Sequence, residues 1–398
     1  MPSASANYLT LLRTSGAAAF FFPAAVGRLG IAMTAIGIVW LVHARTGSYA
    51  AAGLVTGAFA VADAVAGPQI GRLVDRFGQA RVLCCALGAH AAAVALLLVG
   101  VVPDLVAGVL VGATLPQLGA LSAARWSALL YGERAAALPT AFALEALANG
   151  VSYLAGPALV SVLGAAGRPG AGVLLAAALV VVGGLALAAQ RRTTPPLTGR
   201  AERRHAQRAL LGSAFLRQVA LGLALGVFFG AMQVSVTAYA VGRGTPDVAA
   251  PLYFASNCTN LVGGWVYGAW RHGGSPRRHQ TAAAAGLALV SLPLTILDAP
   301  LAIGATLALT GLAVPVLLIL TSALTQSSVP RAVLTQAFTW GNSASAAGSA
   351  ASAAIAGRVV DTGGAHGGFG VAAGAAVAMT VLALGGLRDA SAAEDERP

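Results

Sequence analysis

Four ionisable residues stand inside long apolar runs: Arg28, Asp63, His90 and Glu145. Each would cost free energy in hydrocarbon, so each is read as a functional candidate. Counting about 1.5 Å per helical residue puts Arg28 ~15 Å deep, Asp63 ~12 Å, Glu145 ~10 Å and His90 ~13 Å. Asn149 follows Glu145 by one helical turn on the same face. A carboxyl at low dielectric can titrate near neutral pH, and a cation beside it opposes that shift. Asp63 or Glu145 is therefore expected to take up and release a proton, with Arg28 responding to that charge. Two structural alternatives stay open: a permanent Arg28–Asp63 pair, and pairing of Glu145 with Arg125. An isolated His90 serves equally as a hydrogen-bonded packing residue.

All four lie before residue 190. The later apolar runs carry uncharged polar and aromatic groups instead: Gln233, Tyr239, Tyr253, Asn257, Asn260, Trp265, Gln336, Trp340 and Asn342. Gln233, Tyr253, Asn257, Asn260, Trp340 and Asn342 are the candidates for substrate contact. The asymmetry points to proton chemistry in one half and to a small apolar or amphipathic substrate, uncharged or cationic, in the other.

The elements that position these groups follow from composition. The chain is 57% hydrophobic and 9% charged over 398 residues, where a water-soluble domain is about a quarter charged. Its mean hydropathy is +0.78. Continuous runs of ~20 apolar residues, rather than short alternating ones, mark spanning helices and not a barrel. Twelve are expected, near 18–42, 49–70, 82–102, 104–124, 138–162, 171–190, 213–241, 248–270, 280–298, 301–326, 332–356 and 367–387. The reading is an all-α integral membrane protein. It has a six-helix bundle over 1–190, a basic linker over 191–212, a second six-helix bundle over 213–388 and a tail over 389–398.

Of the 24 basic residues, all arginine, 19 fall in breaks on one side together with the termini, and four in breaks on the other. The positive-inside rule then places both termini in the cytoplasm of a multi-pass plasma (inner) membrane protein. The first apolar run is too long for a cleaved leader. The charge thus reads as topology, and no nucleic acid partner is expected. The linker "QRRTTPPLTGRAERRHAQR" is basic enough to touch anionic lipid. Cys84, Cys85 and Cys258 form no pairing pattern and are expected as reduced core residues. The six histidines are scattered, and no nucleophile elbow or phosphate loop occurs. No metal, cofactor or enzymatic activity is expected.

One break is distinctive. "GRLVDRFGQARVL", 71–83, holds Arg72, Asp75, Arg76 and Arg81 around Gly71 and Gly78. Two glycines permit a tight turn, and an acid can complement a helix N-terminus. "YGAWRHGGSPRRH", 267–279, is a weak repeat of it: Gly268 stands where Gly71 does, and His272 where Asp75 does.

Twelve spans, a central basic loop and a Gly-x-Leu-x-Asp-Arg-x-Gly loop between spans 2 and 3 together resemble the major facilitator superfamily. Gly71, Leu73, Asp75, Arg76 and Gly78 match; Gln79 and Ala80 stand where basic residues are usual, before Arg81. Gly156–Pro157 in span 5 is similar to the end of a glycine-rich motif of the antiporter branch, with Ser152 and Ala143 where glycines are usual. Close packing at a proline kink explains it equally. The resemblance implies a functional monomer that moves a small molecule by alternating access. The loop 71–81 would close the cytoplasmic side, with Asp75 against the start of span 11 near Pro330 and Arg331. Proton-driven export is the leading expectation. Nutrient symport, uniport and, from another class, a membrane sensor or enzyme are the alternatives.

Overall fold

The computed structural model describes residues 8–395 except 198, 246–247 and 270–272. Its described residues form helices and connections, without a strand. In hydrocarbon every backbone amide must be satisfied within its own segment, and helices do this.

A short helix α1 (Tyr8–Leu12) leads into α2 (Ala17–Thr46) and α3 (Tyr49–Phe77). Gly47, at φ 66°, ends α2, and the Ser48 side chain accepts from the Ala51 amide to start α3. Then come α4 (Gln79–Val99), α5 (Asp104–Ala113), α6 (Leu118–Leu129), α7 (Leu138–Ala165) and α8 (Pro169–Ala189). The linker contains α9 (Arg200–Ala209). The chain continues with α10 (Ser213–Gly242), α11 (Ala249–Ala269), α12 (Pro276–Ser291), α13 (Pro300–Ser328) and α14 (Leu334–Asp395).

Among the described residues nine helical segments are long and apolar enough to cross a membrane. One of them, 331–387, holds two of the twelve expected spans, joined through a single non-helical residue, Gly364. The expected spans at 248–270 and 280–298 correspond to α11 and α12, which fall outside that set. The second is only 16 residues long as α12 and finishes in a 3-10 turn, Leu292–Thr295. The first, α11, carries Ser256, Asn257, Thr259 and Asn260 along one stretch. The expected tail at 389–398 is helical as far as Asp395.

The fourth expected span is not continuous. It breaks at 114–117 between α5 and α6 and then runs on to Leu129, past the expected end. Pro116 has no amide to donate and cannot extend α5. The Thr114 hydroxyl donates to the carbonyls of Leu110 at 2.7 Å and Val111 at 3.3 Å, satisfying the end of α5.

The expected turn at 71–78 is mostly helix. Gly71 lies inside α3 and is buried; the turn is made at Gly78 alone, with φ 92°. What Gly71 supplies is close approach. A Cβ there would lie 2.5 Å from the Thr339 hydroxyl and 2.9 Å from the Gln336 Cα of α14. Gly71→Val is therefore expected to cost about 1–3 kcal/mol through overpacking, read as a lower melting temperature of the purified protein. Gly53→Val, on the same helix where nothing lies within 4 Å, should leave melting unchanged.

Two other expectations change. Cys84 and Cys85 are free and exposed on α4, facing outward rather than into a core, and Cys258 is half-buried. α7 stays one helix through Pro157, and Gly156 packs on α2, 3.2 Å from Leu29 O and 3.3 Å from Met33 Cγ by its missing Cβ.

Candidate transport site

α2, α6 and α7 converge on one buried charge pair. Arg28 Nη1 is bonded to Glu145 Oε2, and both side chains are buried. The i, i+4 pair Ser122 and Trp126 on α6 donates to Glu145 Oε1, at 2.5 Å from Oγ and 2.8 Å from Nε1. Arg28 also donates to Asn149 Oδ1 at 3.3 Å and to its own Ala24 carbonyl at 3.3 Å. Phe20 stacks edge-on against Trp126 with centroids 4.8 Å apart, and the guanidinium lies 5.9 Å from the Phe21 ring. Glu145 and Asn149, one turn apart, thus grip the same arginine. Desolvation of such a pair is offset only when its remaining hydrogen bonds are made, and the carboxylate meets that condition.

Both sequence alternatives for these residues are corrected. Arg28 pairs with Glu145 and not with Asp63: similar depth on consecutive helices does not put two side chains face to face. Arg125 does not pair with Glu145. It is 0% exposed on α6, rather than in a solvated break. Its guanidinium donates to Gln79 Oε1 at 2.8 Å, Leu187 O at 2.9 Å and Gln190 O at 2.7 Å. It thereby satisfies carbonyls at the end of α8 that the helix itself leaves open.

Asp63 stands beside the break in the fourth span. Its Oδ1 accepts from Gln117 Nε2 at 2.8 Å, and Gln117 is the residue that starts α6. Irregular backbone at membrane depth is tolerated where protein buries it or where it lines a cavity. Asp63 is half-buried, and Tyr153 on α7, 65% exposed by area in the bare protein, lies within electrostatic reach of both Asp63 and Arg28. Sequence gives no signal for Tyr153, because an aromatic in an apolar run does not stand out. Pro116 is the available signal for the break. His90 is fully buried in α4 toward the Val111 backbone, and no hydrogen bond or ion pair among the described residues joins it to this cluster.

In the second half the structure brings Gln233 and Tyr253 together. The Tyr253 hydroxyl donates to the Gln233 carbonyl at 2.5 Å and lies 3.3 Å from Thr237 Oγ1. Asn257 donates to the Tyr253 carbonyl one turn back, at 2.9 Å. Asn260 is half-buried, and Trp340 and Asn342 are exposed on α14; no side-chain hydrogen bond among the described residues links these three to the group. Tyr239 serves elsewhere, donating to the Asp298 carbonyl at 2.6 Å.

The halves meet along two seams at the arginine-rich end, called here the basic end. In the first, Gly67 and Gly71 of α3 approach Ser343 and Thr339 of α14; in the second, Gly264 and Gly268 of α11 approach Leu147 and Ala143 of α7. The glycines differ by 197 residues and their partners by 196, so the weak sequence repeat holds at the level of contacts. Asp75 closes the first seam: its Oδ2 accepts from the Gln336 amide at 2.9 Å and from Thr335, at the start of α14. That start follows a 3-10 turn, Arg331–Val333, capped by Pro330. Arg331 stacks 3.1 Å over the Tyr131 ring, and Phe142 packs edge-on against Phe338. Arg76 lies over its own neighbour Phe77 at 4.8 Å. A cavity of about 120 Å³ remains beside Asp75, lined also by Gln79, Pro195, Leu197, Glu202 and Thr335. His272, the repeat counterpart of Asp75, lies outside the described residues.

The described residues thus form a helical membrane protein whose halves meet along repeat-related seams and whose first half holds a buried charge pair. The sequence profile of the Major Facilitator Superfamily matches residues 20–351, and the chain belongs to that family of transporters; it is not an enzyme. No curated protein matches it in sequence. Its fold is similar to the human organic anion transporter MFSD10 (TETRAN), with a TM-score of 0.70, 16% identity, and coverage of 92% of this chain and 98% of that one. It is also similar to a bacterial homologue of the iron transporter ferroportin in an outward-facing state, with a TM-score of 0.72, 11% identity, and coverage of 92% and 98%. The transporter FucP in its outward conformation gives a TM-score of 0.68 at 15% identity, covering 91% and 97%.

Proposed function

We propose that the chain is a proton-coupled exporter of small apolar or amphipathic molecules, with Asp63 as the coupling carboxyl. The observation that carries this reading is a charge inventory. Arg28 is neutralised by Glu145, whereas the hydrogen-bond partner of Asp63 is the neutral Gln117. Asp63 is thus the carboxylate here whose charge an incoming proton can remove without leaving a buried arginine unpaired. Its place beside a broken span supports the assignment, because half-helix ends at mid-membrane are where transporters bind ions and substrates. The exposed Tyr153 and the Gln233–Tyr253–Asn257 group offer a polar and aromatic substrate wall with no net charge of its own.

The basic end is read as cytoplasmic, with both termini there and the protein a monomer in the plasma (inner) membrane. The halves 1–190 and 213–388 rock against each other, and the Asp75 contact holds the cytoplasmic side shut until they do.

A ligand-induced melting screen supplies a transported probe, and flux in proteoliposomes with an imposed pH gradient tests the reading. An acidic lumen should drive accumulation of the probe in exchange for protons. Accumulation driven by external acid would make the protein a symporter. Flux indifferent to the gradient would make it a uniporter.

A further inference from the structure

The two seams at the basic end are matched in their glycines but not in their polar contacts. The α3–α14 seam has a carboxylate, Asp75, on the start of α14. The repeat would place the equivalent acid at position 272, and the sequence has histidine there. The α7–α11 seam has a different polar contact, supplied from outside both repeats. The Tyr8 hydroxyl, on α1, donates to the Trp265 carbonyl at 2.9 Å and to the Gly264 carbonyl at 3.3 Å, both near the end of α11. These carbonyls belong to residues 256 and 257 positions further along the chain, in the other half.

This tyrosine is packed into the seam. The missing Cβ of Gly268 points at both Ala143 and the Tyr8 hydroxyl, so ring and helices share one packed site. The ring is held from its own side as well. Leu11, one turn on, is buried in the core, and the Gly16 carbonyl, after α1, accepts from Gln190 Nε2 at 3.3 Å. Burial pushes the hydroxyl up to about 12, so it remains a donor throughout the physiological range.

We infer that Tyr8 is the clasp of the α7–α11 seam, doing with a hydroxyl on α11 carbonyls what Asp75 does with a carboxylate on α14 amides. The N-terminal segment is then part of the closing device and not a solvated lead-in to α2. The inference needs only that the seams part. Its link to transport rests on the alternating-access reading above.

The test is a distance measurement, independent of substrate and of proton coupling. Spin labels are placed at Arg134→Cys and Gly273→Cys, both exposed, flanking the α7–α11 seam. The three native cysteines are replaced by alanine, and the full-length protein is reconstituted in nanodiscs. Tyr8→Phe keeps the ring and its packing, so folding should be preserved. It should raise the ratio of separated to closed populations about fivefold, the factor carried by one net hydrogen bond. Asp75→Asn serves as a sensitised background in which the closed state is already weakened, and Tyr8→Phe should widen the distribution further there. Distances for Tyr8→Phe that coincide with the parent, both alone and beside Asp75→Asn, would overturn the clasp.

Discussion

Asp63→Asn should abolish accumulation of a transported probe under a pH gradient, by at least about tenfold, while exchange of probe across the membrane without a gradient continues. Asparagine keeps the size of the side chain and still accepts from Gln117 Nε2 at the same oxygen. It fixes the side chain in a neutral form that can neither gain nor lose a proton. Protein amount and melting should therefore be unaffected, and the loss should be confined to coupling. Flux that remains fully driven by the gradient in Asp63→Asn would refute the assignment of this carboxyl.

Glu145→Gln should have the opposite profile. It leaves Arg28 buried, with its charge unmatched and one guanidinium nitrogen already without a partner among the described residues. Breaking a buried pair from one side costs about 3–5 kcal/mol, whereas removing both charges costs far less. The single variant should therefore melt well below the parent, and Arg28→Gln/Glu145→Gln should recover a large part of the loss. Thermal unfolding in detergent reads both. A Glu145→Gln protein with parental melting but uncoupled flux would move the coupling role from Asp63 to Glu145. The amide oxygen that Glu145→Gln introduces can still accept from Ser122 and Trp126, but its amide nitrogen then faces Arg28 Nη1, so the cost falls on the pair with Arg28, charge and hydrogen bond together.

These predictions depend on partners that the sequence does not identify, although it names the residues. Depth along a helix can be counted from sequence, and Arg28, Asp63 and Glu145 do lie inside apolar helices. Which residues face each other depends on the rotation of each helix about its axis, and neighbours in three dimensions fix that. Arg125 shows the same limit: an arginine at a span end reads as topology, yet it is fully buried and closes the end of α8. An acid between turn residues suggests a helix terminus as the partner of Asp75, and the family resemblance, not the residues alone, points to the start of α14, where the contact is found. The turn itself is legible only in part. Gly71 and Gly78 look alike in sequence, but one permits close packing and the other a positive φ. Tyr8 lies outside every apolar run and gives no signal at all.

The docked linker helix changes how the two halves are tethered. Ala206 and Leu210 are buried, and α9 packs against the 331–333 turn, so α9 is held on the second half. Gln190 is fastened to the first half through Arg125 and Gly16. Nine residues, 191–199, separate these two anchors, with Thr193 buried and hydrogen-bonded to Gln190 and Pro195 and Leu197 lining the cavity beside Asp75, while three residues join α9 to α10. Nine residues can extend to roughly 30 Å, and doubling a flexible loop costs only about 0.6 kcal/mol in closure entropy. Once its packed residues let go, the tether is therefore long enough to follow the rocking motion proposed above. It keeps the halves at high effective concentration without setting how far they open.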